Sequence, residues 1–175
     1  MLDLREVIAN DNLFTGQIPD EITNLVKLDK LNLHNNLFSG TIPALIGNME
    51  DLKVFTASNN MRRESNGLSG QLPEGLGSLS KLTEFDVSDN SITGQIPSTL
   101  GQCTNLGILH LQDNSLEGDV PPELGSLAVL TSMNLRSNDL AGEVPNELCS
   151  LDPAAIIEVA CTVDCADDCC TDYNC

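Results

Sequence analysis

The sequence predicts an α/β repeat solenoid, a stack of similar coils that share one continuous core. A frame of leucine, asparagine, glycine and proline recurs every 24 residues over most of the chain. Within this frame Leu106, Leu109 and Leu111 alternate with other residues, which is the pattern of a short strand with one buried face. One coil cannot bury its own apolar edge, so about three or more coils must stack.

The remaining positions of the frame predict how each coil closes. Asn114 follows the strand, and we expect it to turn inward and bond backbone groups of its own and the next turn. Leaving such groups unpaired would cost about 1–3 kcal/mol each. Gly118 supplies a backbone conformation that other residues reach poorly, and Pro121 ends the local pairing. Leu124 and Leu127 then predict a short helical or 3₁₀ segment that completes the coil.

Six repeats follow this frame, and the third carries an insertion. The repeat glycine stands at positions 16, 40, 70, 94, 118 and 142, so one interval is 30 residues and the others are 24. The six extra residues lie within Ser58–Gly67, a polar stretch that contains Arg62 and Arg63. Insertions in solenoids form loops on one face, and we favour a plain loop over a recognition loop. Either Asn60 or Asn66 takes the repeat asparagine position.

The frame divides the chain into two parts. Residues 1–153 form the predicted solenoid, and Met1 falls inside a repeat, which predicts a truncated first coil. The remaining segment, residues 154–175, is short, acidic and rich in cysteine. We expect this segment to cap the last coil, because the apolar edge of that coil needs a cover.

The repeat motif resembles the plant-type class of extracellular leucine-rich repeats. Its L-x-G-x-I-P signature appears here as FTGQIP, FSGTIP, LSGQLP, ITGQIP, LEGDVP and LAGEVP. Such repeats form the outer domains of receptor-like kinases and receptor-like proteins, and the polygalacturonase-inhibiting proteins. The resemblance implies a right-handed superhelix with a concave parallel sheet, a second short strand in each coil and short helical segments on the convex side. The cysteine-rich tail resembles the caps of repeat families in unicellular algae such as diatoms.

Charge and composition exclude several functions. The chain has 26 acidic and 8 basic residues and a net charge of −18, which argues against nucleic acid or an anionic membrane as partner. No stretch reaches the roughly 18 apolar residues of a membrane span, and the start lacks the features of a signal peptide. His34 and His110 lie three repeats apart, roughly 14 Å at the spacing of strands, too far for a general acid–base pair. No phosphate-binding loop or cofactor motif is present, so we expect neither enzyme nor cofactor.

The cysteines divide into one core residue and one cluster. Cys103 occupies a core leucine position and is expected to be a buried free thiol. The other six suggest disulfides in an oxidising compartment, although fifteen connectivities are possible. A zinc cluster is the alternative, and its usual ligand spacing is only loosely met. We expect the first of the six to tie the last coil to the tail; they are Cys149, Cys161, Cys165, Cys169, Cys170 and Cys175.

Polar side chains are expected on the concave face of the sheet. The candidate ligand-binding residues are Asn32, His34, Asp86, Ser88, His110, Gln112, Asn134 and Arg136. Almost no aromatic anchor accompanies them, whereas tight protein interfaces favour Trp, Tyr and Arg. The face therefore predicts a polar ligand or a weak contact, and a face without any ligand is the competing hypothesis. Asp86, Asp89 and Asp113 have oxygen ligands suited to Ca²⁺, but a solvated acidic patch is the favoured interpretation.

These features predict a non-enzymatic extracellular recognition module. Its ligand would be a protein, a peptide or a polysaccharide bound on the concave face, within a receptor-like ectodomain. The alternative is a structural scaffold for a wall or for adhesion, whose acidic surface binds cations.

Overall fold

A seven-stranded parallel sheet runs along one side of the computed structural model, which describes residues 3–61, 67–151 and 155–159. Each coil contributes one strand, and neighbouring coils pair in register, so that Leu31 lies beside Phe55 and Phe55 beside Phe85. With strands numbered in chain order, the sheet contains β1 (Glu6–Ile8), β3 (Lys30–Asn32), β5 (Val54–Thr56), β7 (Glu84–Asp86), β9 (Ile108–His110), β11 (Ser132–Asn134) and β13 (Ile156–Glu158).

A second strand in each of the six coils lies around the repeat glycine, as the resemblance implied. These strands form a two-stranded and a four-stranded parallel sheet, bridged by pairing of Gly40 with Leu68. The first consists of β2 (Thr15–Gln17) and β4 (Leu37–Ser39). The second consists of β6 (Ser69–Gly70), β8 (Ser91–Gly94), β10 (Ser115–Asp119) and β12 (Asp139–Ala141).

Short helices close the coils on the side opposite the seven-stranded sheet. Most follow the repeat proline, whose fixed φ directs the chain out of the strand; Pro97, for example, has φ −64° and precedes the helix Ser98–Gln102. Neighbouring helices approach so closely that a Cβ at Gly77 would lie 2.6 Å from the Thr99 carbonyl oxygen. The helices are 3₁₀ at Asp20–Asn24, Ile46–Asn48, Glu74–Ser78, Ser98–Gln102 and Pro122–Ser126, and α-helical in α1 (Asn146–Cys149).

The core lies between the seven-stranded sheet and the helices and is mostly aliphatic. Leu109 and Leu124, from opposite sides of one coil, are both fully buried. Phe55 and Phe85 are the aromatic exceptions, and their rings stack with centroids 5.4 Å apart. Burial is weaker in the first coil, where Phe14 is 50% and Ile8 is 60% exposed.

An asparagine ladder joins successive coils inside the solenoid. Asn90 Oδ1 accepts from the Leu68 amide at 2.9 Å, and its Nδ2 donates to the carbonyl oxygens of Ala57 and Val87. The asparagine therefore bonds its own and the preceding turn, and our expectation of the next turn was wrong. The insertion leaves this ladder intact, because Asn60 fills the position in the third repeat: it is fully buried and accepts from the Phe38 amide.

The residue just before each ladder asparagine adopts a left-handed backbone. The values of φ lie between 51° and 57° at Asp11, Asn35, Asn59, Asp89, Asp113 and Ser137. Asn and Asp tolerate this conformation better than most other residues, which explains why they hold five of the six positions. The chain turns here from the first strand toward the second.

The seventh strand of the large sheet comes from the segment that the sequence assigns to the cap. Ile157 pairs with Met133 and is buried, so that β13 continues the 24-residue frame by one more strand. Cys149 is disulfide-bonded, and its pairing with a particular tail cysteine stays a prediction. Arg62, Arg63 and the five candidate cysteines from Cys161 to Cys175 lie outside the described residues.

Cys103 is a buried free thiol, as the sequence predicted. Its Sγ lies 3.2 Å from the carbonyl oxygen of Leu76 in the preceding coil. Burial raises the pKa of this thiol from 9.0 to about 11.

Cys103 should make the stability of the folded chain depend on alkaline pH. The thiol stays protonated in both states below pH 9, whereas between pH 9 and about pH 11 only the unfolded chain ionises it. The free energy of unfolding should therefore fall by up to about 1.4 kcal/mol per pH unit in this window. Denaturant titrations at successive pH values measure the slope, and Cys103→Ala should have a shallower one. Identical slopes for the two proteins would contradict the assignment.

Candidate ligand-binding face

The outward side chains of the seven-stranded sheet include two parallel rows of mostly polar residues, which we call the concave face. A third outward row beside them contains Glu6, Lys30, Val54, Glu84, Ile108, Ser132 and Ile156. Because the strands pair in register, equivalent residues of neighbouring coils lie side by side, roughly 4.8 Å apart. The structure therefore places all eight candidate residues on one face, spread over the coils from β3 to β11. One row contains Asn32, Thr56, Asp86, His110, Asn134 and Glu158, and the other contains His34, Ser58, Ser88, Gln112 and Arg136.

Three of the predicted binding residues bond their own backbone. The side-chain oxygens of Asn32, Asp86 and Asn134 each accept from the amide two residues further along, at 3.2, 3.0 and 3.1 Å. Such local bonds are a common property of Asn and Asp and shape the chain where a strand ends. The position of these residues at the last place of each strand was the signal that could have predicted this structural role.

The two histidines have separate partners. His34 Nε2 lies 3.6 Å from a carboxylate oxygen of Asp11, and His110 Nε2 lies 2.9 Å from the hydroxyl of Ser132. Strands β3 and β9 are three positions apart in the sheet, roughly 14 Å. The histidines therefore stand too far apart to exchange a proton directly.

One end of the concave face contains a residue that the sequence did not indicate. Glu158 on β13 accepts a hydrogen bond from Asn134 at 2.6 Å and lies 3.8 Å from the Arg136 guanidinium. The sequence does not indicate Glu158 because the acidic, cysteine-rich composition of residues 154–175 predicts a cap rather than a strand of the sheet. Arg136, a candidate for ligand binding, is thus held beside a carboxylate of the same protein.

The centre of the face is acidic. Asp86 and Asp89 belong to one coil and Asp113 to the next. Burial raises the pKa of Asp89, with a further contribution from the Asp113 and Asp86 carboxylates. Within residues 3–61, 67–151 and 155–159, no three acidic, His or Cys side chains have an arrangement suited to a metal ion. The Ca²⁺ hypothesis therefore finds no geometric support there.

Small hydroxyl residues form a floor beside the acidic centre. Thr56, Ser58 and Ser88 are only 9%, 8% and 4% exposed although they face outward from the sheet. Two buried polar atoms near this floor, Thr56 Oγ1 and Gln112 Oε1, have no hydrogen-bond partner among the described residues. Unpaired buried polar groups are rare in folded proteins, so these two atoms call for a partner such as a bound water, an ion or a ligand.

Several basic residues lie beside acids at the edge of the sheet where the strands begin, whereas Lys30 lies within β3. Arg5 contacts Asp29 and Asp51 at 3.7 and 3.5 Å, and Lys81 contacts Asp51 at 2.6 Å. The hydrogen bond from Lys81 lowers the pKa of Asp51 and raises that of Lys81. Alternating charges in neighbouring coils thus neutralise one another along this edge, and the edge is unsuited to polyanions.

A groove of about 790 Å³ lies on a different side, where the second strands meet the helices. Its lining includes Gln71, Gln95 and Asp119 from successive coils together with the repeat prolines. The carboxylates of Glu74, Glu117 and Asp119 line it, and none of the lining residues is basic. The groove is a second surface against which binding to the concave face can be compared.

Among the described residues, the helices are all too short to cross a bilayer.

Comparison with known proteins identifies the repeat. Two family models described as leucine-rich repeats match residues 27–49 and 65–140. The structure of a plant peptide hormone receptor, RGFR1 in complex with RGF2, is 35% identical with a TM-score of 0.82 over 90% of this chain. Pollen Receptor Kinase 3 is 27% identical with a TM-score of 0.80 over 93% of this chain, and a plant ice-binding protein is 34% identical with a TM-score of 0.72 over 83%.

The chain is much shorter than most of these relatives. It covers 24% of the peptide hormone receptor chain, 46% of the ice-binding protein and 76% of the pollen receptor. Among curated proteins, none matches at a significant level. The family models, the six signatures and the register of the parallel sheets agree. The chain therefore belongs to the leucine-rich-repeat family and has the plant-type extracellular form of the repeat.

Proposed function

We propose that this chain is the ligand-binding module of a receptor-like extracellular protein and that its concave face binds a peptide. The observation that carries the proposal is the floor of Thr56, Ser58 and Ser88. Thr56 Oγ1 in this floor and Gln112 Oε1 beside it are buried and have no hydrogen-bond partner among the described residues. The similar peptide hormone receptor, solved in complex with RGF2, supports the choice of a peptide. The same comparison supports a location outside the cell.

The geometry of the rows suits an extended chain. A peptide lying across the strands would meet a new coil roughly every 4.8 Å, and each coil presents polar side chains at the same two positions. Few aromatic residues are available as anchors, since the whole chain has four Phe, one Tyr and no Trp. We therefore expect many modest polar contacts rather than a few dominant ones.

A pair of matched variants can test the concave face. Peptides would be selected from a random library on the native chain and then titrated against Gln112→Arg and Gln95→Arg. Both changes replace glutamine by arginine, but Gln112 lies on the concave face and Gln95 lines the groove on the other side. We expect Gln112→Arg to weaken binding at least tenfold and Gln95→Arg to leave it within twofold. Thermal melts of both variants establish that they are folded.

Two results would overturn this proposal. Stronger loss of binding in Gln95→Arg would move the site from the concave face to the groove. Failure to select any peptide on the native chain, in repeated libraries, would favour the alternative of a structural scaffold without a peptide ligand.

A further inference from the structure

Six residues from three adjacent coils lie together at the centre of the concave face, and we call them the acidic subsite. They are Thr56, Asp86, Ser88, Asp89, Gln112 and Asp113. Thr56 stands directly beside Asp86 in the register of β5 and β7. Asp89 and Asp113 follow β7 and β9 at the left-handed positions, with φ 54° and 56°. The backbone conformation therefore fixes the direction in which the side chains of Asp89 and Asp113 leave the main chain.

The acidic subsite contains hydrogen-bonding groups that the described part of the chain does not satisfy. The Thr56 side chain is more than nine-tenths buried, with 9% of its surface exposed, and its hydroxyl has no partner among the described residues. The Gln112 amide oxygen is likewise buried and unpartnered on the opposite side of the subsite. A carbonyl oxygen can only accept, and a hydroxyl can do so as well. The subsite thus offers acceptors to a ligand that donates.

The negative charge of the three carboxylates in the subsite also favours a ligand whose hydrogen-bond donors are positively charged. Arg136, which follows the strand after β9, already lies 3.8 Å from Glu158. Farther away, Arg5 and Lys53 lie beside Asp29 at the edge of the sheet. The pKa of Asp89 is raised by burial and, in addition, by the nearby carboxylates of Asp113 and Asp86. An incoming cation would relieve this repulsion.

The spread of the acceptors favours an organic cation over a metal ion. Thr56 and Gln112 belong to coils two strands apart, roughly 10 Å, and the described acidic side chains do not converge on one point. A guanidinium group presents five N–H donors in a planar fork, and an ammonium group presents three on a flexible stem. We infer that the acidic subsite binds a basic side chain, arginine or lysine, of the peptide ligand. This inference rests on the proposed function of the concave face.

Short blocked peptides provide the probe. The pentapeptide Gly-Gly-Arg-Gly-Gly, its lysine form and its citrulline form, which is neutral but similar in shape, would be titrated into the native chain while backbone NMR shifts are recorded. We expect the arginine and lysine peptides to shift the amides of residues 86–89 and 112–113, and the citrulline peptide to bind at least fivefold more weakly. Equal binding of the citrulline peptide would overturn the inference.

A second comparison uses variants that preserve the backbone. Asp89→Asn should weaken the arginine peptide at least fivefold, because it removes one carboxylate of the subsite. Asn is found at the same left-handed position in Asn35 and Asn59, so the fold should be maintained. Asp11→Asn is the matched control, since Asp11 holds that position in the first coil with φ 57° and should change binding less than twofold. Equal losses in both variants would show only a general effect of net charge and would overturn the subsite.

The outcome also separates this inference from the proposed function. Library peptides that bind the native chain, lose affinity with Gln112→Arg and contain no basic residue would overturn the subsite and leave the concave face as the binding site. Absence of binding by any peptide would overturn both.

Discussion

Phe85→Ala is expected to lower the free energy of unfolding by about 3–5 kcal/mol, the range typical of a large buried aromatic residue. Phe85 is fully buried in the middle of the seven-stranded sheet, and its ring stacks on Phe55 at 5.4 Å. It also pairs in register with Leu109 in the next coil, so the cavity would open between three coils. A solenoid is stabilised largely through such contacts between neighbours.

Phe14→Ala is the matched control for this prediction. Phe14 also stacks on a phenylalanine of the next coil, Phe38, with centroids 6.2 Å apart, but half of its surface is exposed. Its loss should cost less than half as much, because less apolar area leaves water on folding. Denaturant unfolding followed by circular dichroism measures both variants. Equal losses would mean that the first coil contributes to stability as strongly as the centre, contrary to its exposure.

The fold was predictable because each coil repeats one set of physical requirements. Alternating leucines at Leu106, Leu109 and Leu111 indicated a strand with one buried face, and all three residues are fully buried. The frame failed to indicate β13, since Ala155, Ile157 and Val159 keep the burial of a strand but lie in a segment without the L-x-G-x-I-P signature. The composition of residues 154–175 indicates a cap, whereas the 24-residue spacing from Met133 to Ile157 indicates a further strand, and the spacing is the better guide here.

The candidate site was predictable in position but not in its hydrogen bonding. Stacking in register places equivalent residues side by side, which is why the rows of the concave face could be written from the sequence alone. Which side chains are already engaged depends on rotamers and on neighbours from other coils. Asp86 bonds the Ser88 amide, whereas the Thr56 hydroxyl has no partner among the described residues, and nothing in the residue types distinguishes these two cases.

Asn90→Ala should also destabilise the chain strongly, through hydrogen bonds rather than a cavity. The side chain is 2% exposed, accepts from the Leu68 amide at 2.9 Å and donates to the carbonyl oxygens of Ala57 and Ser88, both at 2.9 Å. Each buried group left unpaired by alanine costs about 1–3 kcal/mol. Leu68 lies just after the insertion in the third repeat, so Asn90 also fixes the point at which the chain returns to the frame.

Asn105→Ala is the control that distinguishes the effect of a buried ladder asparagine from that of an exposed asparagine. Asn105 is exposed, and its Nδ2 donates to the Ser80 carbonyl oxygen at 2.7 Å, a bond that water can replace in the variant. Asn114→Ala, at the ladder position of the next coil, should resemble Asn90→Ala, because Asn114 bonds the Ile92 amide and the Val87 carbonyl oxygen in the same way. Thermal and denaturant unfolding of the three variants tests this order. Equal stability of all three would refute the role of the buried asparagine in joining one coil to the preceding coil.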